Sequence, residues 1–280
     1  MKISYKKFIE NTLIYMAYII VIFFFLFPIF WVVSLSLKPT SEVFSYPPTL
    51  FPKQPTLKNY SEVLNMTMMP TYLWNSVKLV IYTVIGTLLV GIPASYSLSR
   101  FYFKNKNLIL LIILMFQMIS PVVICIPLYK YYGKLGLLNN YFGLSMVYIA
   151  TQIPFTIFLL KGGFDSIPRE LDDAAAIDGA SKCQILIRVI LPLSLPMIAS
   201  AIIFISINAW SQFIIPFILI DKESAYPVSV GILMAQGTFQ QISIHYVAAA
   251  SVLALLPAIL LVLFLQKFIL DALIAGALKG

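Results

Sequence analysis

The chain has 280 residues, of which 60% are hydrophobic and only 11% charged, and it carries a net charge of +8. A mean hydropathy of +0.93 excludes an ordinary soluble domain, where about a quarter of residues are charged. The basic balance does not imply nucleic acid either, because Lys and Arg are scattered over the polar segments between apolar runs instead of clustering on one surface.

Apolar runs of about 20 residues match a hydrocarbon core, and in lipid a backbone must satisfy its own hydrogen bonds, so the runs are expected to be helices. The first, about 12–37, follows Lys2, Lys6 and Lys7. It is longer than a signal-peptide core and lacks a small-residue cleavage site, which predicts a retained span. From 38 to 72 the chain is polar, and Pro47, Pro48, Pro52 and Pro55 forbid a continuous helix. A second span, 73–98, opens on Asn75 and is bent by Pro93, and the basic turn Arg100, Lys104 and Lys106 follows. The third, 108–129, contains Gln117, Pro121 and Pro127, and the fourth, 142–160, contains Gln152 and Pro154.

Between 161 and 194 the character changes. Acidic residues are scarce in the chain, yet Asp165, Glu170, Asp172, Asp173 and Asp178 all fall here. Pro168 suits a first helical turn, and Glu170, Asp172 and Asp173 complement the positive end of a helix dipole. Gly179 takes the left-handed C-terminal cap without steric cost. Ser181 and Gln184 have capping-box spacing, so a second helix is expected to start there and run into Pro192. The product is a small helix-turn-helix whose Leu171, Ala174, Ala175 and Asp178 share a flat face suited to docking.

Span five, 195–220, carries Asn208, Trp210 and Gln212. An outer loop, 221–246, precedes span six, 247–270, and a short tail. With both termini cytoplasmic, the inner segments hold twelve Lys and Arg and the outer segments seven, so the positive-inside rule favours that orientation and puts 161–194 in the cytoplasm. The expectation is an all-α integral membrane protein, one transmembrane domain over 1–280, with six helices and a cytoplasmic helix-turn-helix between the fourth and fifth.

The order Asp173-Ala174-Ala175, three positions, Gly179, nine positions, then Val189-Ile190-Leu191-Pro192 resembles the EAA motif of permease subunits of binding-protein-dependent ABC importers. Asp173 stands where that family usually has Glu, and Val189 where it usually has Ile. The resemblance implies a coupling loop gripped by an ATPase through Glu170, Asp172, Asp173, Ala174, Ala175, Asp178, Gly179, Ala180, Leu191 and Pro192. The proline-rich 38–72 segment is similar to the first external loop of sugar-type permeases, particularly the subunit class of the maltose importer's G subunit. The segment Gly231, Met234, Gln236, Gly237 resembles the periplasmic stretch that contacts the solute-binding protein. The tail with Gly276 and Lys279 is similar to one that touches the ATPase pair.

That family implies a second related permease, two ATPase subunits holding ATP and Mg, an extracytoplasmic solute-binding protein, and a sugar or oligosaccharide as cargo. The expected location is the cytoplasmic (inner) membrane of a prokaryote. No cofactor, metal or catalytic residue is expected on this chain, since GxxxxGKS/T, GxGxxG and HExxH are all missing. Cys125 and Cys183 read as unpaired packing residues. The sole histidine, His245, reads as an incidental surface residue of the outer loop. Candidates for lining a sugar path are Asn75, Gln117, Gln152, Asn208, Trp210 and Gln212, with Tyr148 as a further stacking surface; each reads equally as an interhelical hydrogen bond worth about 1 kcal/mol. One alternative is an importer of the same type for glycerol 3-phosphate, for which Lys78 is the only cation near a span entrance. A less favoured one is an ATP-independent carrier, which would need the intramembrane acids that these spans lack.

Overall fold

A computed structural model describes the backbone of residues 5–238 and 244–277, and the side chains of 7, 11–233, 244–264 and 266. In order the helices are α1 Tyr5–Ser36, α2 Thr40–Val43, α3 Lys58–Met66, α4 Met69–Arg100, α5 Lys106–Phe116, α6 Pro121–Leu135, α7 Tyr141–Asp165 and α8 Glu170–Ile177. There follow α9 Lys182–Ile185, α10 Leu191–Leu193, α11 Leu195–Ser211, α12 Ile214–Leu219, α13 Val228–Thr238 and α14 Ile244–Ala277. No strand occurs among the described residues. Among the described residues four helices are long and apolar enough to cross a membrane, and two bent pairs raise the number to six if each pair is one span.

Two of the expected spans are broken. The third divides into α5 and α6, which meet at 81°. Pro121 excludes the helical conformation from the residue before it, and Ser120 is accordingly extended, with φ −60° and ψ 133°. The fifth ends early at Ser211. Gln212 is extended and its Oε1 accepts from the Ile214 N–H at 3.2 Å, so the side chain starts α12 anew. The outer loop is also more ordered than its glycines suggest: α13 runs through Gly231 and Gly237, and α14 already begins at Ile244.

The chain divides into two compact units, 1–69 with 232–255, and 70–231 with 256–280. In the first, large apolar side chains from Leu13 to Phe27 are exposed, as suits a helix solvated by lipid or by a partner helix. Polar bonds organise the segment after α1. Asn59 Nδ2 donates to the Ser36 and Lys38 carbonyls, each at 2.8 Å. Glu42 accepts from Thr49 Oγ1 and from the Lys53 N–H, and Glu62 receives the Tyr246 hydroxyl. His245 is fully buried, its Nε2 3.1 Å from Thr40 Oγ1, and it stands in the first turn of α14. The expectation of an incidental surface histidine is thus corrected: the ring helps to seal this unit.

In the second unit α7 is largely buried and packs on α5, α11 and α12, while α6 packs on α12. One apolar cluster joins Leu79, Cys125, Leu144, Tyr148, Ile215 and Leu219; another joins Tyr96, Leu160, Phe164, Ile167, Ile185 and Ile190. Between lipid-immersed helices no hydrophobic driving force acts, so such contacts hold by close packing and interhelical hydrogen bonds. Ser95 Oγ donating to the Ile157 carbonyl at 3.2 Å is one of the latter.

Candidate functional site

The stretch between α7 and α11 has the punctuation that the sequence predicts, two residues later at its start. α7 continues to Asp165, and α8 begins at Glu170, with the Pro168 carbonyl accepting from the Leu171 N–H at 3.4 Å. Its end is a Schellman motif. Gly179 has φ +82°, the Gly179 N–H reaches the Ala176 carbonyl at 3.0 Å, and the Ala180 N–H reaches Ala175 at 3.0 Å. Ser181 then caps α9 in a reciprocal box: the Ser181 N–H donates to Gln184 Oε1 at 2.8 Å, and the Gln184 N–H to Ser181 Oγ at 3.3 Å. Beyond α9 the helix widens to a π turn over Leu186–Ile190, which makes room ahead of Pro192, and the chain bends 80° into α11.

Glu170, Leu171, Asp173, Ala174, Ala176, Ile177, Asp178 and Gly179 are exposed, and Ile177 is 86% so. Ala175 and Ala180 lean on the inner cluster, Leu191 is half-buried and Pro192 exposed. Asp172 departs from its neighbours: it is turned inward, where its Oδ2 lies 2.6 Å from Arg100 Nε.

Four of the six candidate path residues meet in one place. Gln117 at the α5–α6 break, Gln152 on α7, Asn208 on α11 and Gln212 after it line a cavity of about 610 Å³, together with Thr151 and Tyr132. Among the described residues none of its lining side chains is charged. Thr151 and Tyr132 were not singled out by sequence, although Thr151 adjoins Gln152. The other two candidates lie elsewhere. Asn75 is buried and its Nδ2 donates to the Ser224 and Tyr226 carbonyls at 2.9 and 3.0 Å; Trp210 lines a separate, nearly apolar cavity of about 210 Å³ with Val77, Val80 and Pro257. Tyr148 sits in the apolar core.

Gly231 is buried under the Tyr72 ring, where an added Cβ would stand 2.1 Å from Cδ2. Met234, Gln236 and Gly237 fall on the α13 backbone and Gly276 on that of α14, but otherwise they lie outside the described residues, as Lys279 does entirely.

Comparison with known proteins agrees with this architecture. The family described as the binding-protein-dependent transport system inner membrane component matches residues 87–274. A trehalose/maltose transport system permease of Thermococcus litoralis is 32% identical over 98% of this chain and 99% of its own. A sulfoquinovosyl glycerol transport system permease of Agrobacterium fabrum is 32% identical over 91% and 89%. A galactooligosaccharides transport system permease of Bacillus subtilis is 32% identical over 96% and 93%. Among solved structures, a bacterial ABC transporter that imports the acidic polysaccharide alginate has the same fold, with a TM-score of 0.81 and 23% identity over 96% of this chain and 99% of that one. With more than half of its length matched by one family model and near-complete relatives above 30% identity, the chain belongs to the binding-protein-dependent transport system inner membrane component family.

Proposed function

We propose that this chain is one permease of an ABC importer that passes a neutral sugar or oligosaccharide across the cytoplasmic membrane. The observation that carries the cargo class is the cavity holding Gln117, Gln152, Asn208 and Gln212 without a charged neighbour. Amides donate and accept at once, which matches hydroxyls, whereas a phosphate or uronate would favour cationic partners. Lys78, the one cation expected near a span entrance, lies over the Tyr141 ring, its Nζ 4.9 Å from the ring centre, and does not line this cavity. The names of the relatives, mostly sugar transport systems, support a sugar as the cargo.

In this reading α5 with α6 makes the third crossing and α11 with α12 the fifth, giving six spans in one transmembrane domain with both termini cytoplasmic. A second, related permease supplies the other half of the pathway. Of two ATPase subunits, one grips this hairpin through the exposed Glu170, Asp173, Ala174, Asp178 and Gly179, with Ala175 and Ala180 behind them and the Leu191-Pro192 corner beside them, and ATP and Mg act on the ATPases rather than on this chain. An extracytoplasmic binding protein delivers the cargo, with the segment from Gly231 to Gly237 on its side and the tail with Gly276 and Lys279 on the ATPase side. Closure of the ATPases favours the outward-open state. Only a difference in their contact with α8 between the two states gives a coupling free energy.

The test is ATP-driven uptake of labelled maltose, trehalose and galactobiose by the reconstituted importer, beside an alginate oligosaccharide, in wild type and Gly179→Pro. Uptake of a neutral sugar that vanishes in the variant, along with ATPase subunit on purification, supports the reading. Uptake of the uronate alone removes the neutral cargo. Uptake indifferent to ATP and to the substitution removes the importer.

A further inference from the structure

At the last turn of α4, Ser99 and Arg100 are tied to the segment leading into α8 by two arginines that cross. Arg100 Nε lies 2.6 Å from Asp172 Oδ2 on α8, and Arg100 Nη2 donates to the Ile167 carbonyl at 3.0 Å. In the other direction, Arg169 Nη2 donates to the Ser99 carbonyl at 3.1 Å, and Lys106 Nζ donates to the same oxygen at 3.3 Å. Ser99 Oγ donates to Asp165 Oδ1 at 2.5 Å, and Asp165 Oδ2 pairs with Lys161 at 2.5 Å. The Ser99 carbonyl at the C-terminus of α4 is thus met by two cations, as the helix dipole favours.

The inner pair is enclosed, with the Arg100 and Asp172 side chains only 6% and 10% exposed. Asp172 Oδ1 has no hydrogen-bond partner among the described residues. A buried ion pair adds little stability over an apolar substitute, but removing one member strands the other charge, so its worth lies in fixing geometry. What it fixes is α8 against α4. Helix α4 is in turn set hard against α7: an added Cβ on Gly86 would stand 2.3 Å from Ile149 Cδ1, and one on Gly91 would stand 3.1 Å from Thr156 Cγ2. α7 carries Thr151 and Gln152 into the polar cavity.

We propose that Arg100 is a positioning residue: through Asp172 it makes α8, α4 and α7 one lever, so that a push on the exposed face of α8 reaches the cavity wall. This rests on the importer reading above. Without the clamp α8 follows its ATPase while the cavity stays behind, and hydrolysis proceeds without transport.

The experiment compares wild type, Arg100→Gln, Arg100→Lys, the exchange Arg100→Asp with Asp172→Arg, and Gly179→Pro, each in the full reconstituted importer. ATPase subunit retained on purification, basal ATP hydrolysis and uptake per ATP of whichever labelled sugar of the panel above wild type imports are measured together. Arg100→Gln is expected to keep its ATPase subunits and basal hydrolysis while uptake per ATP falls about tenfold, within the range of ordinary coupling energies. Arg100→Lys, which restores the charge but not the fork, and the exchange are both expected to recover part of it. Unchanged uptake per ATP in Arg100→Gln overturns the clamp, and so does a loss of uptake that merely follows loss of ATPase subunit and is not recovered by Lys or the exchange. If Gly179→Pro also transports normally, the importer reading fails with it; if Gly179→Pro is inactive and Arg100→Gln normal, the clamp alone is wrong.

Discussion

Gly231 shows how one missing methyl group fixes a helix. Its hydrogen faces the ring of Tyr72, which is buried and donates its hydroxyl to Glu223 at 2.8 Å, so the ring has nowhere to go. An alanine Cβ would come within 2.1 to 2.7 Å of three ring carbons. Gly231→Ala is therefore expected to cost about 1–3 kcal/mol as overpacking, in spite of alanine's better helix propensity. Gly86→Ala should cost less, because the nearest atom there is the free end of Ile149. Thermal unfolding of the two purified variants checks the order, and an equal or reversed effect would sink the account. Single residues were unevenly legible. Gly179 was, since only a left-handed cap explains a glycine between Asp178 and Ala180 ahead of Ser181. Asp172 was not: it read as one of three acids at the start of a helix and, by resemblance, as part of the ATPase-coupling loop, and nothing local says that Arg100, 72 residues earlier, ends its helix opposite.

At the scale of elements, apolar spans and caps were legible, because hydropathy and capping chemistry are local. Breaks within spans were not, because hydropathy carries no direction: Gln117 and Pro121 read as lying within one span, whereas an 81° corner falls between them. That corner is also what brings Gln117 to Gln152 and Asn208. The segment after α1 shows the opposite case, a proline-rich run organised by one carboxylate. Glu42 is held below its ordinary 4.5, chiefly by the Lys53 backbone N–H, with Thr49 Oγ1 assisting against the cost of desolvation. A carboxyl lowered on folding contributes stability that is present above its unfolded value and lost as pH falls through the folded one. Hydrogen exchange over residues 40–55 is thus expected to be slow at neutral pH and to lose protection as the pH drops below 4.5, beyond the intrinsic pH dependence of exchange. Glu42→Gln should be less protected at neutral pH and lack that acid step. An acid step of the same size in the variant would place the cause elsewhere.

For the whole molecule the sequence reports a membrane and an orientation but not which apolar surface meets lipid and which meets another subunit, since both are equally apolar. Leu13 to Phe27 of α1 and Leu108 to Met118 around α5 are exposed to a similar degree. Orientation, by contrast, rests on the spread of Lys and Arg, and the two native cysteines allow it to be tested without engineering. Cys183 is exposed beside the capping box, whereas Cys125 is buried in the apolar core at 1%. A thiol must be reached to react, so a membrane-impermeant maleimide should leave intact cells unlabelled, then modify Cys183 once the membrane is opened, with Cys125 inert throughout. Adding the ATPase subunits should protect Cys183, since it lies in the same hairpin as the exposed face of α8. Labelling of Cys183 in intact cells would invert the topology and put the helix-turn-helix out of reach of any cytoplasmic ATPase. Protection on opening the membrane with no ATPase present would mean that something else covers the hairpin.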